Sequence, residues 1–419
     1  MAVILAGGRG QRMGMLCEVR PKPVLSFGGR VRVIDFSLSN CVHSGIDRLA
    51  VLTDYRRSDI RQYLEQWSKS CRGGTRVDVV EPQNGSYNGT ADAVFQNLDY
   101  LCARGPGIVV VLAADHVYRM DYRKMVAFHE SVGADVTVGV VPVPVEEAHR
   151  FGIAVTDAAR RVREFQEKPA MPRTNLASMG IYVFNWEVLR NRLIEDAAEP
   201  LSLHDIGHAI MPRVVKRDAV FAYGFDGYWQ DVGTVESYYE ANMRLLCDGA
   251  MFAPGNSWPI LSGEVGAAPS RVWPDARVKN SLIGPGCAIH GRVENSVLAA
   301  RVRVEEHAVV RNSVVLGGTF VGKYSVVDGC LLDEDVRVAA FCYVGYGNGC
   351  GRASQEEMPR TAGALTVVGK SAVIPPHVAI GRGSSVRPNS GPAEFNAGSV
   401  PPGTVVETPV GQGAVAQAA

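Results

Sequence analysis

The chain contains no apolar run close to the ~20 residues that a membrane-spanning helix needs, and it opens without a basic stretch or cleavage site for export. Its 9 cysteines include no Cys-x-x-Cys pair, which argues against a disulfide framework and a zinc site. Lys plus Arg equals Asp plus Glu at 43 each, so there is no basic field for nucleic acid. These absences predict a soluble cytoplasmic protein that uses neither membrane nor nucleic acid and recognises anions only locally.

The first apolar run, Val3–Ala6, breaks abruptly into Gly7-Gly8-Arg9-Gly10-Gln11-Arg12. This pattern predicts a buried parallel strand, whose carboxyl end is where open α/β sheets bind ligands. Glycines let backbone N–H groups approach an anion, and Arg9 and Arg12 add positive charge. No Gly-Lys-Ser/Thr follows, and Met13 replaces the third glycine of the dinucleotide fingerprint, so we expect neither a P-loop nor a dinucleotide site. A plain glycine turn is the alternative.

The 419 residues, 46% of them hydrophobic, are enough for two domains. In 1–246, apolar runs alternate with helix-like segments, which predicts an α/β catalytic domain with a doubly wound, mostly parallel sheet. The expected strands are Val3–Ala6, Arg48–Thr53, Val77–Val80, Ile108–Ala113, Asp135–Pro142, Gly180–Phe184 and Val220–Gly224. The expected helices are Ile34–Ser44, Ser58–Gln66, Ala91–Cys102 and Tyr122–Val132. A linker rich in Pro and Gly is expected over 247–275.

Beyond the linker the hydrophobic period changes to six. Aliphatic residues recur mostly at steps of six or five, namely Ile283, Ile289, Leu298, Val304, Val310, Val315, Val321, Val327, Leu332, Val338 and Val344. After an inserted loop near 345–363, the period resumes at Val368, Ile374, Ile380 and Val386. This pattern predicts a left-handed parallel β-helix over 276–390 and, because its ends are open, an oligomer. The unpatterned stretch 391–419 predicts a flexible tail.

Two groups of charged residues suit a nucleotide with a metal ion. Arg20-Pro21-Lys22-Pro23 holds two cations on a backbone stiffened by prolines, which suits a triphosphate, although a solvated basic turn is the alternative. The apolar run 109–114 ends at Asp115, and Asp231 offers a second carboxylate in 228–234. Two carboxylates at a ligand crevice suit Mg²⁺, which binds carboxylate and phosphate oxygens together. For each Asp, a helix cap is the alternative.

A further set of residues suits a sugar phosphate. Glu167-Lys168-Pro169 and Ser178-Met179-Gly180 offer a carboxylate for hydroxyls, an ammonium group for phosphate and a close backbone approach. A solvated ion pair is the alternative. Thr90 is expected to cap the helix that begins at Ala91. His204 and His208 have a metal-binding spacing, but no Glu base or third ligand accompanies them, and we do not expect a metal there.

Several segments match one family pattern: Gly7–Arg12, Arg20–Pro23, Arg32–Asn40, Gly89–Val94, Ala114–Tyr118, Leu176–Gly180 and Tyr228–Thr234. Together they resemble the bacterial glucose-1-phosphate adenylyltransferase (ADP-glucose pyrophosphorylase) family, in the sugar nucleotidyltransferase group. The resemblance implies Mg²⁺-dependent transfer of AMP from ATP to α-D-glucose 1-phosphate, which gives ADP-glucose and pyrophosphate for glycogen or α-glucan synthesis. It also implies an allosteric cytoplasmic enzyme that assembles as a homotetramer.

The resemblance further implies roles for the matching residues. Arg12, Lys22 and Asp115 would be catalytic, and Asp115 and Asp231 would hold the metal. The residues expected to bind the nucleotide are Gly7, Gly8, Arg12, Lys22, Tyr87 and Gly89. The residues expected to bind glucose 1-phosphate are Tyr87, Gly152, Glu167, Lys168, Ser178 and Asp231.

The departures from the family pattern fall mostly in regulation. Val19 stands where members activated by fructose 1,6-bisphosphate often carry Lys, Asp54 replaces a Gln, and Ser86 replaces an aromatic residue. The family's Asp-Phe-Gly-Lys-Asp becomes Asp205-Ile206-Gly207-His208-Ala209, which loses a cation and an acid. We therefore expect weak or altered activation by fructose 1,6-bisphosphate, with catalysis retained.

Three other functions stay open. The same chemistry could use another nucleotide or sugar 1-phosphate, because base choice rests on a few hydrogen bonds in loops. A catalytically silent regulatory paralogue is disfavoured by the presence of both carboxylates and both phosphate-binding cations. A β-helix acyltransferase would need a catalytic histidine, and His290, His307 and His377 are available but are expected to lie on the surface.

Overall fold

The computed structural model describes residues 1–70, 74–247, 249–252, 257–263, 268–347, 365–395 and 398–407. Its internal contacts divide the chain into two units. The first comprises Met1–Arg9, Val33–Asp231 and Trp258–Gly263, and the second comprises Gly10–Arg32, Val232–Ser257 and Glu264–Ala419. The predicted domain boundaries stay a prediction. Most of the inserted loop near 345–363 and the end of the tail from 408 lie outside the described residues.

A 9-stranded sheet forms the centre of the first unit. Its strands are β1 (Ala2–Leu5), β2 (Arg48–Leu52), β3 (Arg76–Val80), β4 (Ile108–Ala113), β5 (Val136–Pro142), β6 (Gly152–Thr156), β7 (Val162–Glu167), β8 (Leu176–Asn185) and β9 (Val220–Gly224). The main order is β7-β6-β8-β4-β1-β2-β3, and β5 joins β8 to β9. All the expected strands are present, whereas β6 and β7 were not predicted.

The pairing of the strands is mixed. Strand β1 runs parallel to β2 and β4, β2 to β3, and β5 to β9. Strand β8 runs antiparallel to β4, β5 and β6, and β6 runs antiparallel to β7. The α/β class is confirmed. The parallel pairs lie around β1 and between β5 and β9. Strands β6 and β7 are joined by a short turn, which allows only antiparallel pairing.

The helices of the first unit are α1 (Ile34–His43), α2 (Arg57–Ser70), α3 (Thr90–Phe95), α4 (Leu98–Cys102), α5 (Tyr122–Ser131), α6 (Trp186–Ala197) and α7 (Met211–Arg217). A 3₁₀ turn covers Val145–Arg150 and a π-helical turn covers Ile206–Ile210. The helix expected over Ala91–Cys102 is divided, because Asn97 leaves the helical conformation and its side chain donates to the Ala93 carbonyl at 2.8 Å. Among the described residues, no helix has the length and apolarity required to span a bilayer.

The expectation that Thr90 caps a helix was wrong. Thr90 is the first residue of α3 and follows Gly89. Its hydroxyl donates to Asp205 Oδ2 at 2.9 Å and accepts from the Ile206 N–H at 2.8 Å. The amino end of α3 instead donates to the His204 carbonyl, from the N–H groups of residues 91 and 92 at 2.8 and 3.2 Å. A distant carbonyl therefore satisfies the N–H groups that a local cap would have satisfied.

The second unit contains a parallel β-helix with three faces. One face has the strands Arg271–Val272, Ala288–Ile289, Arg303–Val304, Phe320–Val321, Arg337–Val338 and Val373–Ile374. The next has Arg277–Lys279, Arg292–Glu294, Val309–Arg311, Val326–Asp328, Tyr343–Tyr346, Ala379–Gly381 and Ser399–Val400. The third has Leu282–Ile283, Val297–Leu298, Val314–Val315, Cys330–Leu332, Thr366–Val368, Ser385–Val386 and Val405–Val406. The hexapeptide fold is confirmed, and every predicted aliphatic position except the half-buried Ile283 is fully buried in its core.

The rest of the second unit carries the segment that follows the glycine loop. It contains the 3₁₀ segments Gln11–Cys17 and Lys22–Val24, the hairpin strands Ser26–Phe27 and Val31–Arg32, the helix α8 (Val235–Arg244), and the 3₁₀ turns Gly249–Phe252 and Pro392–Phe395. Thr234 caps α8 in a capping box with Ser237. Two side chains of α8 hold the hairpin: the Tyr238 hydroxyl bonds the Ser26 carbonyl, and Asn242 Oδ1 accepts from the Gly28 N–H at 2.9 Å.

Candidate active site

Two carboxylates and an imidazole converge beyond the carboxyl end of β4. The short strand Trp229–Asp231 pairs antiparallel with His116–Tyr118, which places Asp231 opposite His116. The ligand atoms of Asp115, His116 and Asp231 lie within 4.8 Å of one another. His116 Nε2 is 3.5 Å from Asp115 Oδ1 and 3.8 Å from Asp231 Oδ1. Two carboxylates and one imidazole form a donor set that fits a divalent cation.

The surroundings of this cluster are partly buried. The Asp231 side chain is 9% exposed and that of Asp115 is 37% exposed. Arg150 Nη2 lies 3.9 Å from Asp231 Oδ2. A carboxylate as buried as Asp231 is costly unless positive charge compensates it, which favours a cation or a cationic side chain at this point.

Packing orients the imidazole of His116. Its ring centroid lies 5.1 Å from the Trp229 ring, edge to face. In the described part of the chain, its Nδ1 atom is buried and has no hydrogen-bond partner. A Cβ added to Gly180, which has φ of +67°, would lie 3.2 Å from His116 Cε1. Gly180 lies in the irregular stretch of β8 between Ser178 and Tyr182, so the backbone that was predicted to approach a ligand lies close to His116.

The glycine loop after β1 meets two side chains of the first unit. A Cβ on Gly7 would lie 3.4 Å from Asp54 Cβ and 3.6 Å from the Tyr87 ring. Asp54 Oδ2 accepts from the Tyr87 N–H at 3.2 Å, and the Gly7 carbonyl accepts from the Tyr55 N–H at 3.4 Å. Within the part of the chain that the structure describes, a Cβ on Gly8 would meet no atom within 4 Å. The structure therefore brings together Gly7, Asp54 and Tyr87, and leaves space beside Gly8.

Tyr87 and Gly89 have different surroundings. The Tyr87 hydroxyl accepts from Asn97 Nδ2 at 3.0 Å, and burial raises the pKa of Tyr87 to about 12. A Cβ on Gly89 would collide with the His204 carbonyl and lie 2.7 Å from the Leu203 carbonyl. Packing against this segment is thus sufficient to explain the glycine at position 89.

The residues predicted to bind sugar phosphate include three that meet at the β6–β7 ladder. Glu167 pairs with Gly152, and Lys168 Nζ lies 3.4 Å from Glu167 Oε1. A Cβ on Gly152 would lie 2.7 Å from Glu167 Oε2. Burial raises the pKa of Glu167, and the nearby Asp205 adds to the increase, which the charge of Lys168 only partly offsets. Glu167 is therefore a partly buried acid beside an exposed cation.

Ser178 is less available for a ligand. It is 7% exposed, and its Oγ donates to the Tyr182 hydroxyl at 3.2 Å and accepts from the Gly180 N–H at 3.3 Å. Its hydroxyl already serves the local structure of β8.

Arg12 and Lys22 belong to the second unit. Arg12 is exposed in the 3₁₀ segment that follows Gly10, whose φ is +63°. Lys22 is 5% exposed, and its Cβ lies 3.3 Å from the position of a Cβ on Gly10. Gly10 thus provides both the left-handed turn and the space against Lys22.

One inference about the charged loop was wrong. Arg20 was grouped with Lys22 as a phosphate cation, but its side chain is 5% exposed and pairs with Asp333 and Glu334. Asp333 and Glu334 lie more than 300 residues after Arg20 in the sequence, so no local pattern indicated that the charge of Arg20 is paired with theirs.

Five other histidines, considered above as metal ligands or as acyltransferase residues, contact carboxylates or aromatic rings. His204 Nδ1 lies 2.9 Å from Asp196 Oδ2, and His208 Nδ1 lies 3.3 Å from Asp205 Oδ1. On the β-helix, His290 stacks on Trp273 at 3.7 Å between centroids. His307 and His377 lie at the ends of a stacked row with Tyr324 and Phe341.

Comparison with known proteins assigns two successive parts of the chain to two families. Residues 1–247 match the family described as Nucleotidyl transferase, and residues 271–368 match the GlmU-like C-terminal hexapeptide family. A glucose-1-phosphate adenylyltransferase of Fervidobacterium nodosum is 40% identical over 391 residues, which cover 91% of this chain and 94% of the relative. The enzyme of the same name from Desulfitobacterium hafniense is 40% identical over 92% of this chain and 98% of its own length. That of Bacillus cereus is 42% identical over 81% and 92%.

This chain belongs to the glucose-1-phosphate adenylyltransferase family. The family resemblance and the nucleotidyltransferase class predicted from the sequence are confirmed.

The adenylyltransferase-type site contains residues to which the sequence assigned no role. His116 lies within a segment that matches the family pattern, but only the pairing of two short strands shows that it lies opposite Asp231. Arg150 ends a 3₁₀ turn before β6, and no motif marked it. Asp205, which matches the first residue of the altered family segment, accepts a hydrogen bond from Thr90 and lies near Glu167, so this segment is next to residues predicted to bind sugar phosphate.

Proposed function

We propose that this chain transfers AMP from ATP to α-D-glucose 1-phosphate and releases ADP-glucose and pyrophosphate, for glycogen or α-glucan synthesis. The observation that supports this most is the convergence of Asp115 and Asp231 beyond β4 in a chain of this family. Neither residue is a helix cap here, which was the alternative for each.

The metal in this proposal is Mg²⁺, held by Asp115 and Asp231. Their carboxylate oxygens are the donors that Mg²⁺ prefers, and His116 adds a nitrogen within the same cluster. A bound cation would neutralise phosphate charge during the transfer. Arg150, 3.9 Å from Asp231, adds a guanidinium to the same charge balance.

The residues proposed to bind the nucleotide are Gly7, Gly8, Arg12, Lys22, Tyr87 and Gly89. The space beside Gly8 is compatible with this role, because no atom of the described residues lies within 4 Å of a Cβ placed there and a phosphate could approach the backbone. The Tyr87 hydroxyl is protonated at neutral pH, as that of any tyrosine with an ordinary or raised pKa, so it can donate as well as accept a hydrogen bond. Arg12 and Lys22 are proposed to neutralise the triphosphate and are, with Asp115, the catalytic residues.

The residues proposed to bind glucose 1-phosphate are Tyr87, Gly152, Glu167, Lys168, Ser178 and Asp231. Glu167 would accept hydrogen bonds from sugar hydroxyls, and Lys168 would pair with the phosphate. Gly152 lets the Glu167 carboxylate lie against the backbone, which limits the positions it can take. Ser178 would contribute through the geometry of β8, because its hydroxyl is already bonded to Tyr182.

The reaction needs no covalent enzyme intermediate. A phosphate oxygen of the sugar forms a bond to the α-phosphorus, and the bond from that phosphorus to the bridging oxygen breaks, so the electron pair leaves with pyrophosphate. The residues above therefore act by placing two phosphates in line and balancing their charge.

Pyrophosphate release tests the proposal across ATP, GTP and UTP, each with several sugar 1-phosphates. We expect the highest kcat/KM with ATP and glucose 1-phosphate. Asp115→Asn should reduce it at least about 100-fold, since the metal supplies several kcal/mol. Asp226→Asn makes the same change at an exposed residue and should have little effect. Highest activity with GTP or UTP would overturn the substrates, and unchanged Asp115→Asn activity would overturn the metal site. No activity with any pair would favour the silent paralogue.

We further propose that the enzyme is a cytoplasmic homotetramer. The β-helix carries a row of exposed rings, with Tyr324 and Phe341 each 52% exposed, on a surface that could be covered by another copy. Sedimentation equilibrium of the full chain measures the assembly, and a monomer at micromolar concentration would contradict the proposal.

A further inference from the structure

Lys22 lies in a segment that is linked on both sides to one acidic residue of the β-helix, Glu334, directly through Arg20 and indirectly through a bond between Val24 and Arg32. On the amino side, Arg20 donates from Nη1 to Glu334 Oε2 at 3.3 Å. On the carboxyl side, the carbonyl of Val24 accepts from Arg32 Nη1 at 2.6 Å, and the same nitrogen donates to Glu334 Oε1 at 2.7 Å. Glu334 is therefore linked to the chain on both sides of Lys22.

Further charges complete this cluster. Arg20 also pairs through Nη2 with Asp333, whose side chain is fully buried, and Lys370 Nζ donates to Glu334 Oε2 at 3.1 Å. Burial alone would raise the pKa of Glu334, but the charges of Arg20, Arg32 and Lys370 outweigh it and lower the pKa to about 2. Glu334 thus stays ionised at neutral pH and keeps its bonds.

The segment between the two links has little freedom of its own. Pro21 and Pro23 fix φ on either side of Lys22. The Val24 N–H donates to the Pro21 carbonyl at 3.2 Å, and the Leu25 N–H donates to the Lys22 carbonyl at 3.0 Å. Holding residues 20 and 24 therefore determines where the Cα of Lys22 stands.

Stability is a weak explanation for such a cluster. A buried ion pair often contributes no more than an apolar pair of similar volume, because desolvation offsets the attraction between the charges. Unlike an apolar pair, this cluster fixes the orientation of the residues that it joins, because each guanidinium donates its hydrogen bonds in a defined plane.

We propose that Glu334 and Asp333 are positioning residues for the nucleotide, which act by holding Lys22 in place through Arg20, Arg32 and the Val24 carbonyl. This inference rests on the proposed function of Lys22 as a triphosphate ligand. The β-helix thereby takes part in nucleotide binding through side chains 314 residues from Arg20.

Glu334→Gln tests the inference because it removes the charge and keeps the shape. We expect the KM for ATP to rise about tenfold and the KM for glucose 1-phosphate to change less than about twofold. Glu306→Gln is the matched control, since Glu306 pairs with Lys323 at 2.9 Å on the exposed surface of the same β-helix. A change in thermal unfolding alone, or equal changes in both KM values, would show a merely structural role and overturn the inference.

A double-mutant cycle with Lys22→Met tests the route of the effect. If Glu334 acts through Lys22, adding Glu334→Gln to Lys22→Met should leave the KM for ATP nearly unchanged, whereas independent effects would multiply. A further rise of about tenfold in the double variant would overturn the inference.

Asp333→Asn and Arg20→Lys keep the test decisive if Glu334→Gln does not fold. Asp333→Asn should raise the KM for ATP, and Arg20→Lys, which retains the charge, should raise it less than Arg20→Met. Binding of ATP without sugar, measured by calorimetry, separates this inference from the proposed reaction. Wild-type protein that binds ATP but forms no ADP-glucose contradicts only the reaction, whereas unchanged ATP binding in folded variants contradicts the positioning role.

Discussion

The carboxylate of Glu167 is partly buried and lies near side chains of positive and negative charge, and these surroundings shift its pKa. Burial and the charge of Asp205 raise the pKa of Glu167, the charge of Lys168 lowers it, and the net result is a raised pKa. The ionised form, which we propose to accept hydrogen bonds from sugar hydroxyls, therefore predominates only above a pKa that exceeds the usual ~4.3 of Glu.

We expect the KM for glucose 1-phosphate to rise as the pH falls through this raised pKa, because the protonated acid loses acceptor capacity. The measurement is KM against pH from 8 down to the limit of stability. Glu167→Gln should have a higher KM at neutral pH and should lose this part of the pH dependence, leaving only the titration of the substrate's own phosphate. Identical pH profiles for the two proteins would contradict the prediction.

At the scale of elements, β6 and β7 matter for the site although the sequence did not predict them. Strand β7 has only two apolar residues in Val-Arg-Glu-Phe-Gln-Glu and no regular alternation, and its burial is correspondingly partial. Its pairing with β6 places Gly152 opposite Glu167. The ladder is therefore the element that holds the Glu167 carboxylate against Gly152, the two residues proposed to bind glucose 1-phosphate.

Gly152→Ala should raise the KM for glucose 1-phosphate about tenfold, because its Cβ would lie 2.5 Å from Phe165 Cζ and 2.7 Å from Glu167 Oε2. Gly224→Ala is the matched control, since a Cβ there would meet no atom within 4 Å. Steady-state kinetics of both variants provide the comparison. An unchanged KM in Gly152→Ala would mean that the acid does not depend on this contact.

The β-helix core should behave as a close-packed interior. Val327 is fully buried, so Val327→Ala should lower the free energy of unfolding by about 2–3 kcal/mol through lost burial and the cavity left behind. Val278 is 39% exposed, and Val278→Ala makes the same change at much smaller cost. Urea unfolding measures both, and equal losses would contradict the assigned core.

At the scale of the whole molecule, the charges of Arg20 and Arg32 are already paired with acids of the same chain. Val19, beside Arg20, offers no charge in the place where activated relatives often carry Lys. Both features leave less positive charge for an anionic activator in this segment.

We therefore expect fructose 1,6-bisphosphate to change the rate of ADP-glucose formation less than about twofold, and Val19→Lys to increase the response. Initial rates with and without the activator, at subsaturating ATP, provide the test. A large gain in the wild-type chain would contradict the prediction.

The parts that the sequence determined by itself are those governed by local periodicity and local chemistry. The strand before Gly7, the carboxylate at Asp115 and the six-residue period of the β-helix follow from backbone geometry within a few residues. The mixed pairing around β8 did not follow, because register depends on which strands meet. The division of Ala91–Cys102 did not follow either, because it depends on a side chain bonding to the backbone of its own turn.

Only the tertiary structure decided which charges are paired and which glycines are needed for packing. The sequence grouped Arg20 with Lys22, but Arg20 is held by acids of the β-helix, and Gly89 accommodates carbonyls of residues 203 and 204. His116 joins the carboxylate pair through the pairing of two short strands. Contacts of this kind join residues far apart along the chain, and their partners are set by how the elements pack, which no periodicity within a short window of sequence records.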